Sequence, residues 1–177
     1  TTPFFNYWPF DRIREPEIVT VHEFGHQFWQ GQVATNEFEE AWLDEGINSY
    51  STGRVLELAY GRDGTLATLF GQQVGEVDSI RLQNNTNRIF DAIRQPTWTY
   101  SDGQYAFNAY ARPELVLRTL EAHLGAQTMA RVMRTYQERW RYRHPSSNDF
   151  YAVVNEVAGR DLTPLLTQLF ETGALLD

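Results

Sequence analysis

Two histidines four residues apart, with a glutamate beside the first, place the strongest constraint on this chain: His22-Glu23-Phe24-Gly25-His26. On a helix that spacing sets both rings on one face, one turn apart, so that they can address a single point. Phe24, Phe28 and Trp29 make the same segment apolar, and the helix is expected to be buried. Buried imidazoles need partners, and a shared metal ion serves both. Zinc takes neutral imidazole nitrogens at about 2.0–2.1 Å and, in a reactive site, keeps one position for water. Two histidines are therefore one ligand short. Glu23, on the same rim as His22, suits a base that takes a proton from water better than a third ligand.

The third ligand is expected on a nearby element. His123 falls in the last turn of a predicted helix and His144 precedes a proline in a loop, and both read as surface residues. The stretch "EEAWLDEGINSY" is the better source. Glu45 shares a helical face with Trp42 and Ser49, and a short connection folds this helix back antiparallel to the first. Glu37, Glu39, Glu40 and Asp44 compete with it by position, although they also read as a solvated helix start.

The remaining pattern is mainly α. Pro16 opens the histidine helix, which ends near Gly31, and a second helix runs from Phe38 or Glu40 to about Tyr60. One or two helices are expected over 64–94, followed by a loop at "RQPTWTYSDGQ". Pro113 opens a helix closed by Gly125, another covers about 126–142, Ser147 or Asn148 caps a helix to Ala158, and a last one spans about 162–171. Period-2 alternation is nearly absent. Residues 1–15 form an aromatic arm and 16–177 one helical domain, long enough at 42% hydrophobic content to bury a core.

Composition narrows the chemistry. There is no cysteine, which removes thiolate nucleophiles, disulfides and cysteine zinc sites. A net charge of −8 argues against nucleic acid, even though "RWRYRH" at 139–144 alternates basic and aromatic residues. No apolar run reaches membrane-spanning length, and the first residues do not read as a signal peptide. The opening "TTPFFNYWPFD" lacks a methionine and is expected to be a cut or processed end. No phosphate-binding glycine loop or Gly-x-Ser-x-Gly elbow is present.

"HEFGH", eighteen further residues and then Glu45 inside "WLDEG" resemble the signature of the M1 zinc metallopeptidases, the gluzincins typified by aminopeptidase N and leukotriene A4 hydrolase. "YARPELVLRTLEAHLG" resembles the family's Tyr-x-Lys-Gly segment and its following helix, and "SSNDFYAVVNEVAGRDLTPLLTQLF" its Gly-Arg-Asp-Leu stretch. The likeness covers about 17–172. It implies the helical subdomain of a thermolysin-like catalytic domain. It also implies one zinc ion per chain held by His22, His26 and Glu45, with Glu23 as base and acid and Tyr110 as oxyanion donor. From the residues alone, Tyr100 and Tyr105 compete with Tyr110. The implied activity is hydrolysis of peptide substrates, foremost as an aminopeptidase.

Departures from the family pattern bear on that reading. Arg112 and Pro113 stand where the family usually has Lys and Gly, and Asp44 replaces a common Asn. The family's Gly-x-Met-Glu-Asn motif, whose glutamate holds the substrate amine, does not occur here. In the family it lies upstream, as does a β domain, so a longer polypeptide is expected and this segment alone is expected to be weakly active or inactive. The alternatives are an endopeptidase or non-peptide hydrolase on the same zinc site, or a zinc-binding scaffold without turnover.

Overall fold

The computed structural model describes residues 7–8, 10–86 and 91–173. Phe4 and Phe5 of the expected arm lie outside them. In the described part of the arm, Trp8 meets Phe70 edge-on at 6.1 Å, and a single turn at Phe10–Arg12 follows. Ile13 bridges to Ala67, and the Arg14 N–H donates to the Leu66 carbonyl at 2.8 Å.

Eight helices occur among the described residues, and no helix is long and apolar enough to cross a membrane. The first, α1 (Glu15–Trp29), carries Pro16 in its opening turn, where the missing N–H costs nothing. The expected second helix is broken. Asn36 caps a short α2 (Glu37–Glu40), Ala41–Leu43 form a tight 3-10 turn, and α3 (Glu45–Tyr60) follows. All three turn residues are buried, and Trp42 drives the break. Its ring stacks 4.2 Å from Phe170 and meets Phe150 edge-on at 5.5 Å, while its Nε1–H donates to Ser147 Oγ at 3.0 Å. A straight helix could not place Trp42 there and also aim Glu45 at α1.

The segment expected to be helical over 64–94 begins instead as a hairpin, β1 (Ala67–Leu69) and β2 (Gln72–Val74), with Leu69 opposite Gln72. Phe70 and Gly71 both take positive φ, 50° and 78°, as a two-residue hairpin loop requires. A helix, α4 (Glu76–Thr86), comes next, and 87–90 lie outside the described residues.

Further along, α5 (Arg112–Leu124) does not start at Pro113 but continues a wider π turn over Phe107–Ala111, in which the Arg112 N–H donates to the Phe107 carbonyl. Pro113 has no N–H to offer the Ala109 carbonyl, so the shift in the hydrogen-bond ladder falls where a regular helix would lose a bond anyway. Then come α6 (Ala126–Trp140), α7 (Ser147–Ala158) and α8 (Thr163–Glu171). In α6, Met129, Val132, Met133 and Tyr136 form one buried stripe at helical spacing. The cap of α7 is Ser146, one residue earlier than expected, and its N–H donates to Asp149 Oδ2 at 2.8 Å in a capping box.

The core joins Trp42, Ile47 and Leu117 to the inner faces of α6, α7 and α8. Against expectation, α1 contributes no buried residue to it, although Trp29 packs against its edge. No α1 residue is buried, and Phe24 and Phe28 are 66% and 43% exposed. The helix packs on α3 through one side only, and that side carries the histidines.

Candidate metal centre and active site

Contacts between α1 and α3 run in opposite senses along the two helices. His26 faces Asp44 and Glu45, whereas the His22 carbonyl accepts from Asn48 Nδ2 at 2.7 Å. The pair is therefore antiparallel, as the short connection requires. Gly25 permits the close approach, since a Cβ there would lie 1.9 Å from Asn48 Oδ1. On the other side of α3, a Cβ on Gly46 would lie 2.4 Å from the Pro113 Cβ. Small residues at these crossings let α1, α3 and α5 converge on one point.

At that point the His22 Nε2 lies 3.1 Å and the His26 Nε2 3.2 Å from the same oxygen, Glu45 Oε2. One ligand atom from each residue falls within 4.8 Å of the others, and this is the one such group among the described residues. Ligand atoms around a tetrahedral zinc ion lie about 3.3 Å apart, so the two spacings to Glu45 fit that ion. The chemistry fits as well. His26 Nδ1 sits 2.8 Å from Asp44 Oδ1, a buried carboxylate. With Nδ1–H donating to Asp44, a neutral ring keeps its lone pair on Nε2. Two lone-pair atoms at 3.2 Å call for a proton or a cation between them.

Tyr110, carried on the π turn, donates its hydroxyl to Glu45 Oε1 at 2.6 Å, and its ring stacks on His22 with centroids 5.6 Å apart. Burial and the Glu45 carboxylate both raise the phenol, so it remains a donor. Burial alone would raise Glu45, but hydrogen bonds with His22 and Tyr110 hold it below the usual carboxylate range. Asp44 is pushed up to about 6, by burial first and by Glu45, with His26 opposing. Glu23 lines the same cavity of about 590 Å³ as His22, His26, Glu45 and Tyr110.

Of the rival ligands, Asp44 backs His26 from its other nitrogen, and several others are engaged away from this point. Glu40 pairs with Arg94 at 3.0 Å and accepts the Ser147 N–H, and Glu37 accepts from Gln30. His123 meets Arg160, and His144 Nδ1 lies 2.9 Å from the Ala34 carbonyl. Tyr100 donates to the Ile93 carbonyl, and Tyr105 lies beside Tyr110 with centroids 6.2 Å apart. In the basic stretch, Arg139 pairs with Glu156 and Arg141 with Gln137. Sequence reading missed the parts played by Gly25, Asn48 and Asp44. For Asp44 a signal was present, because an acid directly before a ligand at the start of a helix can reach the neighbouring histidine.

The model of the Peptidase family M1 domain matches residues 7–169. The chain belongs to peptidase family M1. This M1 segment is 24% identical over 163 residues to aminopeptidase M1-C of Oryza sativa subsp. japonica, covering 85% of the chain and 17% of that protein. It is 22% identical over 162 residues to the leucyl aminopeptidase of Saccharolobus solfataricus, covering 89% of the chain and 20% of that protein. The chain thus spans about a fifth or less of the length of these curated relatives. Among solved structures it is similar to the M1 zinc metallopeptidase of Deinococcus radiodurans bound to a Tyr-Ser-Ala substrate, with a TM-score of 0.73 and 19% identity over 91% of this chain and 34% of that one. The aminopeptidase A of Legionella pneumophila in complex with aspartic acid matches with a TM-score of 0.65 and 22% identity, over 88% of this chain and 17% of that one. These likenesses give the M1 chain its fold, the helical part of the catalytic domain.

Proposed function

We propose that this chain carries the zinc centre and reacting groups of a peptide-bond hydrolase, working as an aminopeptidase within a longer polypeptide that includes an upstream β domain. The arm of 1–15 and the helical body of 16–177 form one unit of that enzyme. The supporting observation is the convergence of His22 Nε2, His26 Nε2 and Glu45 Oε2 in a cavity that also holds Glu23 and Tyr110. Those three residues would hold one zinc ion per chain, with Asp44 fixing the His26 ring. Bound there, zinc supplies Lewis acidity that polarises a carbonyl and acidifies water.

The chain's own groups then divide the work. Glu23 takes the proton of the attacking water and returns it to the leaving amine. Tyr110 donates its O–H to the oxygen on which negative charge develops, a role its raised phenol suits. Glu45 keeps the tyrosine hydroxyl at the site until then.

The test is Glu23→Gln in the full-length enzyme. The amide is similar in size but cannot take up and return a proton at neutral pH. Zinc content should stay at one per chain while kcat falls by roughly 10²–10⁴-fold. A zinc-replete variant with near-wild-type kcat would remove Glu23 from the mechanism.

A further inference from the structure

The cavity does not end at the metal centre. On α1 its wall continues from His22 back through Val19 and Ile18 to Glu15, about 10 Å along the helix at 1.5 Å per residue. On α5 it continues one turn past Tyr110 to Glu114, and α4 closes it with Glu76 and Ile80. Among the described residues no arginine lines it, and the chain contains no lysine.

The two carboxylates at this inner end are undercompensated. Glu114 is 1% exposed, and Arg118 bonds only its Oε1, at 3.2 and 3.3 Å. Arg118 is shared, since its Nη1 donates to Glu57 at 2.6 Å. Arg54 reaches only the other Glu57 oxygen and Glu121. Glu76 Oε2 is buried without a hydrogen-bond partner among the described residues. An orphaned buried carboxylate oxygen is costly, and here it borders a cavity that opens on the reacting groups. The local charges support the same picture. Burial, and then Glu76, push Glu114 up to about 8, and burial raises Glu76 as well.

We propose that Glu76 and Glu114 form a pocket for the cationic side chain, lysine or arginine, of the peptide residue flanking the scissile bond. The inference rests on the peptide-hydrolase reading above. An ammonium or guanidinium supplies the donor that the orphaned Glu76 oxygen lacks and a second cation for Glu114, in a setting where water competes poorly. The scale matches, because a four-carbon lysine stem reaches about 6 Å, the rise of one helical turn from Tyr110 to Glu114. The apolar Val19, Ile18 and Ile80 can pack against that stem.

The experiment uses the full-length, zinc-loaded enzyme and short peptides that differ only by lysine or norleucine on either side of the scissile bond. Lysine at one of the two positions should raise kcat/KM roughly tenfold to a hundredfold over norleucine, the range for hydrogen bonds to charged groups. In Glu76→Gln that ratio should collapse to about twofold or less. Binding of the same peptides to the Glu23→Gln enzyme should show the same discrimination without turnover. Glu76→Ser gives a second reading if the amide disturbs folding. Equal rates for lysine and norleucine among peptides that are hydrolysed would overturn the pocket and leave the peptidase reading intact. In binding to the Glu23→Gln enzyme, acetylated lysine and norleucine peptides that bind equally would also overturn it, because the carboxylates would then hold the terminus. Failure to hydrolyse any peptide would sink both readings.

Discussion

Asp44 Oδ1 lies 2.8 Å from one nitrogen of His26, and Glu45 Oε2 lies 3.2 Å from the other. Adjacent residues thus grip opposite sides of one ring. The first fixes which nitrogen carries the proton, and the second shares whatever lies between it and Nε2. Removing the first grip in Asp44→Ala should weaken zinc binding about 10–100-fold. Asp44→Asn keeps an acceptor oxygen and should lose less. Competition with a chromogenic chelator measures both, and unchanged affinity in the alanine variant would leave Asp44 without a part in the site.

Gly25 stands where α1 crosses α3. A methyl group there would overlap Asn48 Oδ1 at 1.9 Å, and relief requires moving the side chain that bonds the His22 carbonyl. Gly25→Ala should therefore destabilise the fold by about 1–3 kcal/mol and loosen zinc as His22 shifts. Urea denaturation reads the first effect and metal titration the second. A stable variant with normal zinc affinity would mean that α3 yields more easily than its packing indicates.

Glu114 makes stability depend on pH. Its carboxyl is raised from 4.5 to about 8 by burial, then by Glu76, with Arg118 opposing. Over that window the folded chain holds a proton that the unfolded chain has released. The stabilisation is fully present below about 4.5 and is lost as pH rises through about 8. The urea midpoint should fall between pH 5 and pH 8, and Glu114→Gln should flatten that fall. An equally steep profile in the variant would assign the dependence to other groups.

Residues 1–177 alone should fold and bind zinc, because the ligands and the core lie within them. They should nevertheless cleave aminoacyl anilides at least about a hundredfold less efficiently than the longer enzyme, since misplacement by about 1 Å costs that much. Comparable kcat/KM for the two would show that these residues position the substrate unaided.

The grouping of His22, His26 and Glu45 was legible in the sequence because its logic is local. Four residues separate His22 from His26, and a short connection returns Glu45 to them. The helices with one buried stripe, such as α6, were legible for the same reason. Other features turn on contacts between distant segments. The break before Glu45 exists so that Trp42 can reach Phe150 and Phe170, more than a hundred residues away. The hairpin strands are three residues each, too short for alternation to register. The burial of α1 was misjudged because Phe24 and Phe28 declare an apolar face without saying what covers it. Tyr110 emerged among nine tyrosines only through family resemblance, and its bond to Glu45 then sets it apart from Tyr100 and Tyr105.

The π turn at Phe107–Ala111 has a consequence for how this fold can vary. It inserts one residue's worth of rotation, about 100°, between the segment ahead of it, which carries Tyr105, and the helix after it, which carries Glu114 and Leu117. The two stretches can therefore answer to different neighbours without a loop between them. Loss of a single residue at 107–109 would leave a continuous, regular helix that still packs on α3. That helix would keep Tyr110 in phase with Glu114 and swing Tyr105, whose ring lies 6.2 Å from that of Tyr110, about 100° away. Chain length in this turn is thus a phase setting, and two sequences that align well through it can differ in what surrounds Tyr110 by one deleted letter.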